Sequence, residues 1–231
     1  MRVEKRYSAG LFFTGTYQLS KNTDNGSGEI EANDTAYAWN LNADEGPARY
    51  DQRHRGGLSG GYELPFGPGK PWLSSGGVAA GVLAGWQVVG NLRLGSGFPY
   101  SVSSTNVCQC GSFVPQRVNF VSGRDGDAGN IDNPTPDRWF DTTAYAVTAL
   151  GTQGTAGRNT VRGPGNKQVD FSLSKRFPMN KARLEFRWEV FNLLNQVNFG
   201  TPDFNISNVA VGTITTAADG RNMQFGLRFV W

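Results

Sequence analysis

Three groups of side chains in this sequence have the composition of a reactive or ligand-binding site, and the first surrounds its single histidine. His54 lies near Asp51 and Ser59, a combination with which hydrolases activate a serine nucleophile. Ser59, however, follows His54 by five residues along a predicted strand, and no strained nucleophile elbow or oxyanion loop accompanies it. The alternative is a structural role for His54 at the mouth of that strand. We expect no enzyme and no catalytic residue.

The second group is a pair of cysteines, Cys108 and Cys110, separated by one residue in a long predicted loop. In an oxidising exterior they would form a small, strained disulfide or remain as unpaired thiols. As a metal site the pair is incomplete, because a structural zinc ion takes four ligands.

The third group, Asp125, Asp127, Asn130 and Asp132, offers oxygen atoms of the kind that Ca²⁺ prefers. It lacks the spacing and the bidentate glutamate of an EF-hand loop, so a solvated loop is the alternative. We therefore predict no metal site and no cofactor.

The elements that carry or connect these groups are strands, because apolar and polar side chains alternate in six segments. The period of two is clearest at the C-terminal end of the sequence, and four consecutive polar-face positions between residues 183 and 189 are charged. About nine to eleven tilted residues of this kind cross the hydrocarbon core of a bilayer. The predicted strands are Ala9–Leu19, Arg55–Leu64, Ala84–Leu94, Val169–Phe177, Ala182–Val190 and Met223–Trp231.

The connections between these strands alternate in length. Pro65–Pro71 and Pro178–Lys181 are short, whereas Ser20–His54, Ser96–Lys167 and Asn192–Arg221 are long. In an antiparallel up-and-down sheet this order places every long loop at one end and every short turn at the other. Outer-membrane barrels have that asymmetry, and compact soluble domains rarely contain loops of this length.

The composition agrees with a barrel wall, in which only half of the strand positions need to be apolar. The chain has 31 Gly, 38% hydrophobic and 12% aromatic residues, and no apolar stretch long enough for a spanning helix. Its net charge of +3 is spread along the chain, so nucleic acid is not expected as a partner. No apolar signal core follows Met1–Arg6, which suggests that an exported protein's N-terminal region is missing.

The predicted fold is therefore all-β: an antiparallel up-and-down transmembrane β-barrel segment of about six strands. Six strands are too few to close, because the smallest bacterial barrels have eight and an open edge leaves backbone groups unsatisfied in lipid. Residues 1–231 are then the C-terminal part of a larger barrel, or further strands lie within the loops. The best hidden candidate is Gln116–Ser122.

The polar face of these strands is predicted to line the lumen of the barrel. Pairing of the fourth and fifth predicted strands would place Asp170 opposite Glu189 and within reach of Arg187. These charges would line a solute path or hold a plug; alternatively, they form a solvated wall that only needs to be wettable. The predicted lumen residues are Arg55, Glu63, Gln87, Asn91, Arg93, Asp170, Arg176, Arg183, Glu185, Arg187, Glu189, Gln224 and Arg228.

Aromatic residues in the long loops are candidates for contact with an external ligand. They are Tyr37, Trp39, Trp139 and Phe140, whose rings could stack on a glycan or peptide. Packing of the loops against the barrel rim explains them equally well.

Several stretches of the chain, in order, resemble the C-terminal barrel of TonB-dependent receptors, specifically the Oar-like group of outer-membrane proteins. These stretches are Asp51–Arg55 followed by Tyr62–Gly67, Gly95–Tyr100, Arg138–Asp141, Gly157–Gly165, Glu189–Asn195 with Asn198–Gly200, and the terminal strand. The resemblance implies a 22-stranded barrel with an N-terminal plug and a box that docks on TonB, and it implies no catalytic residues. The sequence contains neither plug nor box.

The expected function is to move or capture a solute across the outer membrane of a Gram-negative bacterium. The expected partners are outer-membrane lipid, the missing plug and remaining strands, and TonB through that missing region only. Two alternatives stay open: a non-transporting surface, adhesin or scaffold protein, and a soluble β-protein with unusual loops.

Overall fold

A computed structural model describes residues 1–26, 40–105, 116–121, 123–152, 154–179 and 182–231. The main element of the fold is one antiparallel sheet of seven strands, in which long strands that follow each other in the chain pair with each other. In chain order they are β1 (Arg2–Ser8), β2 (Leu11–Leu19), β3 (His54–Glu63), β4 (Trp86–Gly95), β5 (Asn166–Pro178), β6 (Arg183–Phe191) and β7 (Asn222–Val230). The sheet is therefore an up-and-down meander, as predicted.

The connections separate the two ends of the sheet. β1 and β2 are joined by Ala9 and Gly10, whose φ angles of 51° and 84° are typical of a type I′ hairpin turn. This turn and the described residues of the segments 64–85 and 179–182 lie at one end, which we call the turn end. The described residues of the segments 20–53, 96–165 and 192–221 lie at the other, the loop end.

The predicted number of six strands is wrong, because β1 precedes them. The alternation did not reveal β1 since Lys5 lies opposite Phe13, on the face where the other strands carry mainly apolar residues. The sheet is not closed within the part of the chain that the structure describes: β1 and β7 each pair with one neighbour. A row of backbone donors and acceptors is left along each of these edges.

The two faces of the sheet differ in polarity as the alternation predicts. Phe171, Trp188 and Phe225 share what we call the apolar face, and Asp170 and Glu189 share the polar face. The ring of Trp188 stacks on Phe225 with centroids 6.1 Å apart and meets Phe171 edge-on at 5.9 Å. The side chain of Phe225 is 71% exposed, so it is not packed into a protein core.

The register between β5 and β6 differs from the predicted one by two residues. Ser172 lies opposite Glu189 and Ser174 opposite Arg187, so polar side chains still face polar ones. The predicted contact between Asp170 and Arg187 is wrong, because the shift moves Arg187 farther along the strand. Asp170 instead forms an ion pair with Arg93 on β4, the strand on the other side of β5.

The described parts of the three long connections fold together into a loop layer with short strands. The pairs are Thr23–Asp24 with Gly46–Pro47, Pro99–Tyr100 with Val161–Arg162, Ser103–Ser104 with Gln116–Arg117, and Asn119–Phe120 with Tyr145–Ala146. Two 3₁₀ helices cover Leu41–Asp44 and Thr142–Ala144. The candidate hidden strand at 116–122 is thus part of this layer and not of the main sheet.

The hydrophobic core of the molecule lies in the loop layer. Phe140 is fully buried there; its ring stacks on Phe204 with centroids 5.4 Å apart and meets Tyr145 edge-on at 6.1 Å. The cluster consists of Val102, Val118, Phe140, Ala144, Tyr145, Ala156, Val161 and Phe204. These residues come from two different long connections, so the layer is held together by tertiary contacts.

A short helix, α1 (Val78–Leu83), covers a lysine on the apolar face at the turn end. The Lys175 ammonium donates hydrogen bonds to the carbonyl oxygens of Gly81 and Val82, at 2.7 and 2.6 Å. It also lies 5.4 Å from the ring centroid of Trp86, and the residue is 4% exposed. The helix therefore supplies the acceptors that a charge on an apolar face requires. In the described residues, no helix has the length and apolar character needed to span a membrane.

Replacing this lysine by an isosteric apolar residue is expected to release α1 without harming the sheet. Lys175→Met removes two hydrogen bonds from a charged donor, each worth about 1.5–3 kcal/mol. We expect elastase to cleave residues 76–85 at least tenfold faster in the folded protein. Lys167→Met is the matched control, because Lys167 lies on the same face of β5 at the loop end. Equal cleavage of the two variants would contradict the role of Lys175.

Candidate functional site

The polar face brings the thirteen predicted lumen residues onto one side of the sheet. Along β6 their charges are paired with neighbouring side chains. The Glu185 carboxylate lies 3.5 Å from the Arg176 guanidinium and 3.1 Å from that of Arg183. Arg187 lies 3.7 Å from Glu189, which also accepts a 2.6 Å hydrogen bond from Gln224. Both glutamates of β6 are thus paired, but arginines remain in excess, because Arg228 also lies opposite Glu185.

Asp170 anchors the ion pair nearest the loop end. Its carboxylate accepts hydrogen bonds from Arg93 at 3.0 Å, from Gln168 at 2.9 Å and from the Asn192 backbone N–H at 3.1 Å. Gly57 lies directly opposite Arg93 on β3, which leaves space for the long side chain. Three donors thus hold the carboxylate in one orientation, and the carboxylate in turn orients Arg93.

Arg55 differs from the other arginines of the polar face. Its cross-strand neighbours are Gln18 and Gly95, neither of which is acidic. Arg93 is its diagonal neighbour on β4, so two positive charges are adjacent here. Within the described ranges Arg55 makes no ion pair, and its side chain is exposed.

Two cavities open at the loop end beside these arginines. The larger has a volume of about 1350 Å³, and its lining includes Arg2, Arg55 and Arg93. The smaller has a volume of about 510 Å³ and is lined by residues of the long connections at the loop end. Asn22 lines both, so the two cavities are neighbours.

Asp51 is the acidic residue among those that line the smaller cavity. It accepts a 2.5 Å hydrogen bond from Arg162 and a 2.9 Å bond from the Asn22 backbone N–H. Burial acts to raise the pKa of Asp51, but the bonds from Arg162 and Asn22 and the charges of Arg162 and Arg53 outweigh it. The pKa of this carboxyl group is therefore held below its usual value, and Asp51 is ionised at neutral pH.

We expect acid to loosen the junction between the first and second long connections. Because the folded-state pKa of Asp51 is lowered, its stabilisation is complete above the unfolded-state pKa near 4 and is lost as the pH falls through the lower folded value. Asp51→Asn should cost about 1.5–3 kcal/mol at pH 7 and remove this acid-dependent step. The urea midpoint of the loop layer, followed by tryptophan fluorescence from pH 2 to 7, measures both effects. A urea midpoint of the wild-type protein that does not fall below pH 4 would contradict this role of Asp51.

A second polar cluster lies at the turn end of the sheet. The Glu63 carboxylate accepts hydrogen bonds from Tyr7 at 2.7 Å and from Lys70 at 2.9 Å. The bond to Glu63 raises the pKa of Lys70, with burial acting in the opposite direction. The cavity beside this cluster has only about 160 Å³, so it offers less room for a ligand than the cavities at the loop end.

The structure separates the residues of the hydrolase alternative. His54 points to the apolar face, where its Nδ1 lies 2.8 Å from the Tyr17 hydroxyl, whereas Ser59 is on the polar face. The Asp51 carboxylate accepts a hydrogen bond from Arg162, so it does not orient His54 or Ser59. His54 therefore has the structural position at the mouth of the strand that the sequence offered as the alternative.

The other predicted site residues have varied positions. Phe140 is fully buried, so its assignment as a ligand contact is wrong: the ring belongs to the loop core. Trp139 is half-buried, and its indole N–H donates to the Arg162 carbonyl at 2.8 Å. Asn130 uses its amide group on Thr160 and Arg162, and no cluster of three His, Cys, Asp or Glu residues that would suit a metal ion occurs in the described residues. Tyr37, Trp39, Cys108 and Cys110 lie outside the described residues.

Sequence reasoning missed two arginines that organise the loop end. Arg158, 1% exposed, donates to the carbonyl oxygens of Asp44 and Asp24 and pairs with the Asp24 carboxylate. Arg162 pairs with Asp51, which is 111 residues away in the chain. Both lie in the Gly157–Gly165 stretch, which entered the sequence reasoning only through its family resemblance. A buried arginine has no periodic signal, because its partners are distant in sequence.

The open antiparallel meander, its apolar outer face and its layer of long loops define a membrane β-barrel wall. The sequence matches the family model of an outer membrane beta barrel domain over residues 1–224, and the chain belongs to this family. It is therefore an outer-membrane protein of a Gram-negative bacterium. A search of curated proteins found no match.

Proposed function

We propose that this chain is part of the barrel wall of a TonB-dependent, Oar-like receptor that moves or captures a solute at the outer membrane. The observation that carries the proposal is the polar face, with its oriented charges, opening at the loop end into a cavity of about 1350 Å³. The Asp170 carboxylate, held by three donors, orients Arg93 beside that cavity.

The open edges support a wall that is larger than this sheet. Seven strands are fewer than the eight of the smallest bacterial barrels, and each unsatisfied backbone group costs several kcal/mol in lipid. We propose that additional strands pair with β1 and β7, and that a plug and TonB box in the same protein fill the lumen and couple it to energy. TonB would then act through that region and not through residues 1–231.

The apolar face supports lipid as the partner on the outside of the wall. Phe225, Leu227 and Phe229 are exposed by 71%, 73% and 52%, a continuous patch that water would disfavour. We propose that acyl chains cover these side chains. The polar face, one residue away along each strand, is then the lumen side.

Solute depletion from the growth medium tests the transport proposal. Cells with and without the intact gene are compared by mass spectrometry of the spent medium, each with and without TonB. We expect a set of solutes to be depleted only when both the gene and TonB are present. Solutes that bind to the cell surface equally without TonB, with no depletion, would favour an adhesin or scaffold, for which the folded loop layer offers the binding surface.

A further inference from the structure

We infer that the loop end of the polar face binds an anionic group of the solute, such as a carboxylate or phosphate. This inference deepens the proposed function and rests on it for the role of the site, although binding itself needs no energy coupling. Its basis is the excess of basic residues in the linings of the two loop-end cavities, together with the position of Arg55, which has no acidic cross-strand neighbour.

The described residues that line the two loop-end cavities are strongly basic. The larger cavity is lined by Arg2, Arg55 and Arg93 and by no described acidic residue. The smaller is lined by Lys21, Arg53 and Arg162, with Asp51 as the one described acidic residue. Together these linings have six basic residues and one acidic residue. Three of the six are ion-paired, Arg2 with Glu4, Arg93 with Asp170 and Arg162 with Asp51. The other three, Lys21, Arg53 and Arg55, make no ion pair among the described residues.

Three glutamates of the polar face line neither of these cavities. Glu185 lies between Arg176 and Arg183, Glu189 is 3.7 Å from Arg187, and Glu63 pairs with Lys70. Uncompensated positive charge at a partly enclosed mouth concentrates anions and speeds their capture.

Arg55 and Arg93 form the centre of this site. Asp170 occupies one side of the Arg93 guanidinium, which has five N–H donors, so further donors remain for a ligand. Among the described residues no carboxylate pairs with Arg55. Gly95 lies directly opposite Arg55, and because Gly95 has no side chain, the polar side chains of Asn166 and Gln52 lie close to its backbone. Two adjacent guanidinium groups match the paired oxygens of a carboxylate or phosphate.

A polyanion titration of the intact protein in detergent micelles tests the inference. The probe is inorganic tripolyphosphate, measured by isothermal titration calorimetry, with spermine as a probe of opposite charge. Arg55→Gln removes a charge that has no described partner to disturb, and we expect it to weaken tripolyphosphate binding about tenfold. Arg55→Lys keeps the charge and should restore most of the affinity, and spermine should not bind.

The matched control is Arg228→Gln, which removes the same charge from the same face at the turn end, opposite Glu185. It should bind tripolyphosphate like the wild type. The inference is overturned if the wild type does not bind the probe, or if Arg55→Gln and Arg228→Gln have equal effects. Heat-modified migration in gels confirms that each variant is folded.

The two proposals fail separately. Binding that depends on Arg55, together with solute depletion that does not depend on TonB, would overturn the proposed transport function and leave the anion site standing. TonB-dependent depletion of solutes without tripolyphosphate binding would overturn the anion site and leave the proposed transport function standing.

Discussion

Phe225→Arg is expected to prevent stable assembly of the intact protein in the outer membrane, whereas Gln224→Arg is tolerated. The two positions are adjacent on β7 but lie on opposite faces of the sheet. An arginine at the apolar position would enter the hydrocarbon near its mid-depth, at a cost of about 2–4 kcal/mol. It would also remove the ring that stacks on Trp188.

The same charge at position 224 has a different environment. Gln224 faces Glu189, to which it donates a 2.6 Å hydrogen bond, so an arginine there gains an ion-pair partner. The comparison thus keeps the charge, the strand and the depth nearly constant and changes the face alone. The two variants are compared by the fraction of protein in the outer membrane and by the urea midpoint of unfolding in lipid vesicles. Equal loss in both variants would show that lipid does not cover the apolar face.

Arg158→Met is expected to open the loop layer while the sheet remains intact. This variant fills a similar volume but removes the hydrogen bonds that Arg158 donates to the Asp24 carboxylate and the Asp44 carbonyl. Breaking a buried ion pair by removing one partner costs about 3–5 kcal/mol. We expect the lower end of that range, because Asp24 is 23% exposed.

Protease digestion of the folded protein measures this opening. A cost of about 3 kcal/mol raises the population of the opened layer about a hundredfold, and chymotrypsin should cut residues 40–53 faster by a similar factor. Arg124→Met is the control, since the Arg124 guanidinium lies on the surface, 3.7 Å from Asp141. That exposed pair is worth at most about 1 kcal/mol. Resistance of both variants to the protease would mean that Arg158 does not hold the connections together.

The chain's local pattern was sufficient to predict six of the seven long strands, and the two sides of each. Alternation with a period of two follows from strand geometry alone. Every second residue from Met223 to Phe229 could therefore be assigned to one face without knowledge of the neighbouring strands. The same reasoning failed for β1, where Lys5 occupies an apolar position beside Phe13. It also could not choose the β5–β6 register, because a shift by two residues leaves every side chain on its own face.

The amino-acid sequence alone thus determined six of the seven long strands, their faces and the asymmetry of their connections, since these depend on residues a few positions apart. Folding in three dimensions was needed to bring Arg162 to Asp51, to cover Lys175 with α1 and to bury Phe140. It also gathered Arg55 and Arg93 at the mouth of one face. The physical reason is that a buried charge is stabilised by whatever partner packs against it. The partner of Arg162 is 111 positions away, and the acceptors of Lys175 are 94 and 93 positions away.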